Sequence, residues 1–552
     1  MVAMKLDLKK IVIFLFILAI VIKLVGLNSA IYDDEANYAF SITNADDLGF
    51  NPHYYSPILM QWIGVLTTSI FGISTVVFRA IPFITSFFTL GLTYVFAKEV
   101  YNKKAAFTAV VLMLTSFYFT LASLQLDVEG SLVTLFVLAT IYSFWKYEKT
   151  HEFPWGVASG IAGGLALMSK NTSIVIAPIL AIYVLIKYRL NVFKAIKSMV
   201  IPGIVTFFIG LGYLILSYID NPNNVQFLLG HGAPRVGVQL TLLSPAMFLF
   251  WATPLLIGLA LLALFKFEKQ DTLFLVWLSV AILFNTFVIN TGDFSRYYMH
   301  TIPAMAILGG VVISKFRFNR KQVLAGVVVG AVYYVIIVLL NARLLKLVPR
   351  IMSYYMSQIK LLDFNFLFSY TSSSGPTFGV SFLIILLTFS LSAILLFLIV
   401  VGRKTTKFAT LCLVLFLAIN IAFNAVLIQE YVFHVQGPDP SQATYDLVEY
   451  FYQNNLSYPV YSNDEGILFY LDYSYWASNR LVGSSIVSLP DNEFDVDISA
   501  KLARVQKDGG TVLLLNWPQI PDESQLWEVT SKCTLISSFY SNDYLIGSVY
   551  TC

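Results

Sequence analysis

Residues 27–42 read LNSAIYDDEANYAFSI and set three acids side by side, Asp33, Asp34 and Glu35. Asp127 and Glu129 follow in LQLDVEG, and cations stand at Lys170 in MSKNTS, Arg235 in GHGAPRVG and Arg296 in TGDFSRYYMH. His53 is in NPHYYSP. A positioned carboxylate can take up a proton, and several together can hold a divalent ion through oxygens. Each residue also has a plain structural reading. Asp33 or Glu35 can serve only the positive end of a helix dipole. Asp127 can be a soluble loop residue or half of an ion pair, and Arg296 and Lys170 can snorkel to lipid headgroups. Histidine-metal spacing such as HxxxH is absent, and the five histidines are scattered.

What must position these residues is a membrane bundle. The chain is 57% hydrophobic and 12% charged with a mean hydropathy of +0.74, too apolar over 552 residues for water-facing side chains to cover. A net charge of +3, with no basic block interleaved with aromatics, gives no nucleic-acid surface. Lys5, Lys9 and Lys10 precede an apolar run that reaches Leu27 without a small-residue cleavage site, which reads as an anchor rather than a removed signal peptide.

A span needs about 17 to 25 apolar residues to cross roughly 30 Å of hydrocarbon. Thirteen are expected: 11–27, 75–97, 106–122, 130–145, 155–169, 173–186, 198–218, 246–265, 272–289, 299–314, 323–342, 377–401 and 408–428. The apolar stretch 56–72 is left on the outer surface, because counting it as a span would turn KEVYNKK (98–104) and every later loop to the other side. With it outside, the Lys/Arg-rich short loops all face the cytoplasm, among them 98–104, 187–197, 315–321 and 403–407, and the first outer loop, 28–74, has no Lys or Arg. The N-terminus is then cytoplasmic. Asp33, Asp34, Glu35, His53, Asp127, Glu129, Lys170, Arg235 and Arg296 all fall on the outer face at membrane depth, where ionisable groups are costly unless paired or used. That convergence points to an outward-facing cavity at the lipid boundary.

Residues 343–364 should be outside yet carry Arg343, Lys346, Arg350 and Lys360. Helical spacing of their apolar residues suits an interfacial amphipathic helix, and a solvated basic loop suits them equally. After residue 430 the composition turns polar and mixed. PSQATYDLVEYFYQNN reads as a helix and TVLLLNW as a buried strand after the turn KDGG, so 430–552 is expected to be an extracytoplasmic α/β domain. Cys533 and Cys552 fall in it and can pair in an oxidising compartment, whereas Cys412 is a filler within a span. The sequon Asn455-Leu456-Ser457 lies on the same side.

DDEANYAFSI resembles the D-E-x-x-Y-A stretch opening the first outer loop of GT-C glycosyltransferases of the protein O-mannosyltransferase and aminoarabinose-transferase type. HYYSPILMQWIGVLTTSIFGISTVVFRAIPFI is similar to that family's H/K-P-P-L-x-x-W segment followed by F-G-x-S-x-x-x-x-R-x-P. Residues 94–136 are similar to its third-helix region ending in R-x-D-x-x-L, and GDFSRYYMHTIPAMAIL resembles its S-x-x-R-Y-x-x-x-x-x-P segment. The chain departs from the pattern at Ser56-Pro57, where the family has paired prolines, and at Tyr55, where it has a basic residue; His53 stands two positions upstream. No W-W-D-Y-G motif follows residue 430, which argues against whole-oligosaccharide transfer.

The resemblance implies a mainly α polytopic membrane protein of GT-C architecture, with a transmembrane domain over 1–429 and the extracytoplasmic domain over 430–552. It implies transfer of a single sugar, a mannose-like hexose or similar, from a polyprenyl- or dolichyl-phosphate donor to a hydroxyl on the outer face, with inversion. The acceptor is a protein, a glycan or a lipid. Asp34 is the expected base, Glu35 its hydrogen-bonding neighbour and Asp127 part of the site, while Arg296, Lys170, His53, Arg235 and Tyr297 are expected around the donor phosphate. No metal cofactor is expected, although Asp34, Asp127 and Glu129 have the oxygens to hold one. A multi-pass transporter or lipid-linked-sugar flippase is the alternative, but no second half repeats the first, and Lys23 is the exception to span centres nearly free of charge. An anchored adhesion or scaffold protein would not need thirteen spans.

The charge bias predicts that a reporter fused after Lys104 is cytoplasmic and one after Phe433 is external. A reporter at residue 104 found outside would mean that 56–72 spans.

Overall fold

A computed structural model describes residues 8–32, 34–43, 58–220, 243–265, 267–289, 295–342, 345–349, 352–370, 374–402, 406–456, 459–471, 507, 509–520, 524, 527 and 530–552. Asp33, His53, Arg235 and the sequon's Ser457 lie outside them. Each of the thirteen expected spans overlaps a helix. Among the described residues eight helices are long and apolar enough to cross a membrane, and Ile13–Gly26, Ile58–Phe71, Phe153–Ser169 and Asn171–Lys187 are apolar but shorter; Ile58–Phe71 lies in the stretch not counted as a span. The chain is a mainly α, multi-pass membrane protein.

Two expected spans are corrected. Residues 106–122 form a bent pair, Lys103–Leu114 and Phe117–Leu124, at 68°. Ser116 restarts the helix by accepting from the Phe119 N–H, and Asn424 Oδ1 takes the Phe117 N–H at 2.8 Å, so the break leaves these amides satisfied. The run 377–401 does not begin as helix. Phe378–Ser381 (β2) pairs antiparallel with Leu367–Tyr370 (β1), and the helix starts at Phe382.

The chain packs as two compact units. The first comprises Met1–Leu27, Ser41–Tyr333 and Phe389–Ala425. With lipid as solvent, helices associate through close packing and polar contacts, which small residues permit. Phe153–Ser169 meets Val192–Asp220 along such a stripe: a Cβ at Gly160 would lie 2.8 Å from the Pro202 carbonyl, and one at Gly164 2.5 Å from Ile209. Thr206 Oγ1 donates to the Gly160 carbonyl at 3.0 Å. The buried Glu148 ties three helices by accepting from Lys187 at 2.7 Å, Tyr188 at 2.9 Å and Ser198 at 2.5 Å.

The second unit comprises Asn28–Phe40, Tyr334–Thr388 and Val426–Cys552. Its main sheet has the order β3-β4-β6-β5, from Val460–Ser462 (β3), Thr511–Leu515 (β4), Thr534–Ser541 (β5) and Tyr544–Thr551 (β6). β3 and β4 are parallel and the other pairs antiparallel. The strand expected at TVLLLNW is β4, buried throughout, and the expected helix is Pro440–Gln453, capped by Asp439, which accepts from the Ser441 and Gln442 N–H groups. This helix lays Ala443, Leu447 and Phe451 into a core with Leu513, Ile546 and Val549. Asn542 and Asp543, both at positive φ, make the two-residue turn between β5 and β6 that the strand twist favours. Within 343–364 the described helix is Met352–Lys360.

Cys533 and Cys552 are disulfide-bonded and close the open end of the β5–β6 hairpin over a sequence separation of 19. A closed loop of this size restricts the unfolded chain by about 3 kcal/mol. Reduction, or Cys533→Ser with Cys552→Ser, should therefore lower the denaturant midpoint of the second unit, followed by intrinsic fluorescence. An unchanged midpoint would show that the hairpin holds without the bond.

Candidate functional site

The two acidic stretches sit in different units, and each is built locally. In the second unit, Ala30 and Tyr32 are buried in the core beside Ala443, Leu447 and Ile467. The Ala30 N–H donates to Ser441 Oγ at 3.1 Å and the Ile31 N–H to Tyr470 Oη at 3.0 Å. This anchors the residues just before the helix Asp34–Thr43. Glu35 is fully buried, and its Oε2 accepts the Tyr32 N–H at 3.2 Å, so it holds the helix start. Asp34, one position earlier, is only partly buried, and its Oδ1 accepts from Asn37 Nδ2 at 3.3 Å. Two adjacent acids thus face different surroundings, one sealed in and the other reachable.

In the first unit, the Phe117–Leu124 helix ends in a turn over 125–128 and resumes as the π-helical turn Glu129–Val133 before Thr134–Thr150. Asp127 Oδ1 accepts the Glu129 N–H at 3.1 Å, its carbonyl accepts from Ser131 Oγ, and Thr134 Oγ1 donates to the Glu129 carbonyl at 2.6 Å. The turn lies tight against the preceding helix, since a Cβ at Gly130 would stand 2.6 Å from Ala122 Cα and 2.8 Å from its carbonyl. Arg79, fully buried, donates to the Leu124 carbonyl at 2.5 Å and closes the helix end from the other side.

Facing this turn is the 3₁₀ segment Ser295–Thr301. Asn285 Nδ2 donates to the Tyr297 carbonyl at 3.2 Å and Trp277 Nε1 to His300 Nδ1 at 3.2 Å, so the neighbouring helix Thr272–Phe287 fixes its path. Lys170 stands where the Phe153–Ser169 helix stops, in extended conformation at φ −166°.

The side chains from these three places meet. Arg296 Nη1 lies 3.0 Å from Asp127 Oδ2, and Arg296 Nε 3.9 Å from Glu129 Oε1. Lys170 Nζ pairs with Glu129 Oε1. The Tyr297 ring lies under both cations, 4.9 Å from Lys170 Nζ and 5.7 Å from Arg296 Cζ. Asp127, Glu129 and Arg296 are at most 4% exposed. Burial and then the Asp127 carboxylate push the Glu129 carboxyl up, with Lys170 and Arg296 pulling the other way. Two carboxyl groups and two cations thus meet in one cluster. Among the described residues no three of His, Cys, Asp and Glu converge to hold a metal ion.

A family model described as Dolichyl-phosphate-mannose-protein mannosyltransferase matches residues 55–214. No curated protein matches the chain. Among solved structures, ArnT from Cupriavidus metallidurans bound to undecaprenyl phosphate is similar at a TM-score of 0.63 with 14% identity, covering 98% of this chain and 97% of that one. The apo state of the same protein gives a TM-score of 0.62 with 16% identity and 98% coverage of both chains. The chain has the ArnT-like GT-C fold. The match runs over nearly the whole chain and agrees with the resemblance of the sequence to the GT-C group.

Of the residues singled out from sequence, Asp127, Lys170, Arg296 and Tyr297 come together in the first unit, with Glu129 as a fifth member. Asp34 and Glu35 belong to the second. Asp127 is indeed half of an ion pair, and Lys170 and Arg296 pair with acids rather than snorkel. Arg79, Gly130, Asn285 and Trp277 were not picked out. Only Arg79 had a signal, as the arginine of the F-G-x-S-x-x-x-x-R segment.

Gly130→Ala should displace the Glu129–Val133 turn, because its new methyl group meets backbone rather than a yielding side chain. Stability should drop by about the 1–3 kcal/mol typical of overpacking, read as a lower thermal midpoint. A wild-type midpoint would mean that the turn has room the geometry denies.

Proposed function

We propose that this chain is a membrane glycosyltransferase that moves one sugar, a mannose-like hexose, from a polyprenyl-phosphate donor to an acceptor hydroxyl on the outer membrane face. The observation that carries this reading is the set Asp127, Glu129, Lys170, Arg296 and Tyr297, in which all but the partly buried Lys170 are buried. It brings a guanidinium and an ammonium together on the fold of ArnT, a protein solved bound to undecaprenyl phosphate. As the bond from sugar C1 to phosphate oxygen breaks, negative charge grows on the lipid phosphate, and preorganised cations in a dry site stabilise it far more than water does. A guanidinium has five N–H donors in a fixed fork, so Arg296 can keep Asp127 and still present donors to phosphate. In this reading Asp127 and Glu129 are positioning residues that hold the cations.

The acceptor hydroxyl is a weak nucleophile and needs a base. Asp34, partly exposed at a helix start whose neighbour Glu35 is sealed in, is the residue suited to take its proton. A single in-line displacement then inverts the anomeric carbon: the acceptor oxygen bonds to C1, the phosphate leaves with the bonding pair, and Asp34 holds the proton. In this reading no metal takes part. His53 and Arg235 are proposed as further phosphate contacts on the resemblance alone.

The test is transfer of labelled sugar from polyprenyl phosphate by purified variants, with donor binding measured separately and chelator and Mn²⁺ as controls. Asp34→Asn keeps shape but cannot accept the proton, so turnover should fall by about 10²- to 10⁴-fold with donor binding intact. Asp33→Asn should lose much less, and Asp127→Asn should fall between them with weakened donor binding. Arg296→Lys loses the fork, and one charge-assisted contact is worth about ten- to a hundredfold. Full activity in Asp34→Asn would sink the assignment of the base, and strict dependence on a divalent ion would recast the acids as ligands.

A further inference from the structure

The first unit holds a second cationic site, on the opposite face from the one just described by the charge bias of the loops. A cavity of about 500 Å³ opens where the helices Leu243–Leu264, Ile302–Ser314 and Phe382–Val401 end and Arg320–Asn341 and Thr406–Phe433 begin. Its deep walls are apolar and buried, formed by Leu262, Val312 and Ile399. Its rim carries Lys315, Arg317 and Lys407, all exposed to the surroundings. Ninety residues of sequence separate Arg317 from Lys407, so only the fold makes them neighbours of one cavity.

The acids near this rim are already engaged. Glu268 pairs with Lys315 at 2.5 Å, and Asp271 accepts from Tyr101 Oη at 2.6 Å and from the Glu268 N–H at 2.8 Å. Arg317 and Lys407 enter no ion pair among the described residues, and they leave the rim with a positive excess. Lys104 Nζ donates to the Ser314 and Phe316 carbonyls at 2.7 and 3.1 Å, which fixes the loop that carries Lys315 and Arg317. A cationic rim over an apolar pocket between helix ends, at the depth where a leaflet's headgroups lie, has the two-part chemistry of an amphiphile with an anionic head. A free phosphate would have no use for the apolar walls, and a zwitterionic lipid none for the excess charge.

We propose that this cavity binds an anionic phospholipid of the cytoplasmic leaflet, with the headgroup phosphate on Arg317 and Lys407 and the start of an acyl chain against Leu262 and Ile399. The lipid wedges between the helix ends and braces the loops joining them. This site takes no part in sugar transfer, so its failure and the failure of the transfer reading are separate results.

The test uses the full-length chain in nanodiscs of phosphatidylcholine, titrated with phosphatidylglycerol, with retained lipids identified by native mass spectrometry. The wild type should retain phosphatidylglycerol over phosphatidylcholine. Arg317→Gln with Lys407→Gln, both exposed positions, should weaken that retention about thirtyfold, taking each juxtamembrane cation at its usual strength. Neither inorganic phosphate nor polyprenyl phosphate should displace the bound lipid. Equal retention of the two phospholipids by the wild type would overturn the proposal. So would unchanged retention in the double variant, displacement by inorganic phosphate, or preference for polyprenyl phosphate.

Discussion

A charge taken out of water must meet its opposite, and the first unit is arranged around one place where four do. Removing one member of a buried pair strands the other, at about 3–5 kcal/mol, so Asp127, Glu129, Lys170 and Arg296 hold one another in place as a set. The local irregularities of the bundle serve that set. The break at 115–116, the π-helical turn at 129–133, the extended Lys170 and the 3₁₀ segment at 295–301 are all departures from straight helix. All but the first deliver a charged side chain to the set, and backbone freed from helical bonding at these places is satisfied by Asn424, Ser131, Thr134 and Asn285.

The same economy appears in the second unit with a different solution. There the main-chain segment 28–32 is pinned by a hydroxyl from Ser441 and another from Tyr470, with Ala30 and Tyr32 serving as core residues. A loop that would otherwise wander becomes a fixed approach to a helix start. Its consequence is the contrast between Asp34 and Glu35. Glu35 closes back on the Tyr32 amide and is spent on structure, whereas Asp34 stays partly exposed and accepts from Asn37.

Charge at the far ends of the helices follows the opposite rule. Around the cavity at Lys315, Arg317 and Lys407 the cations are exposed, and the acid that neutralises one of them is exposed too. Exposed pairs of this kind contribute little to stability. Their value lies in the field they present to whatever occupies the apolar pocket beneath them.

Much of this molecule was legible in its sequence, for reasons of length and period. Apolar runs long enough to cross a bilayer must be helices, because lipid offers no partner for unpaired backbone groups, and all thirteen runs overlap helices. The amphipathic run at 440–453 and the strand after KDGG were equally plain. The pairing of Asp127 with Arg296 was not, since 169 residues separate them and no local pattern encodes which turns will face each other. Nor could spacing reveal that Gly130 and Asn285 shape the turns, because a close-packed glycine and a helix asparagine look ordinary until something is packed against them. Composition and period determined that the chain crosses a membrane and which charged residues stand at the ends of its apolar runs. Tertiary packing alone decided which of those charges are sealed together, because the energy of a buried charge depends on its neighbours in space and not on its place in the chain.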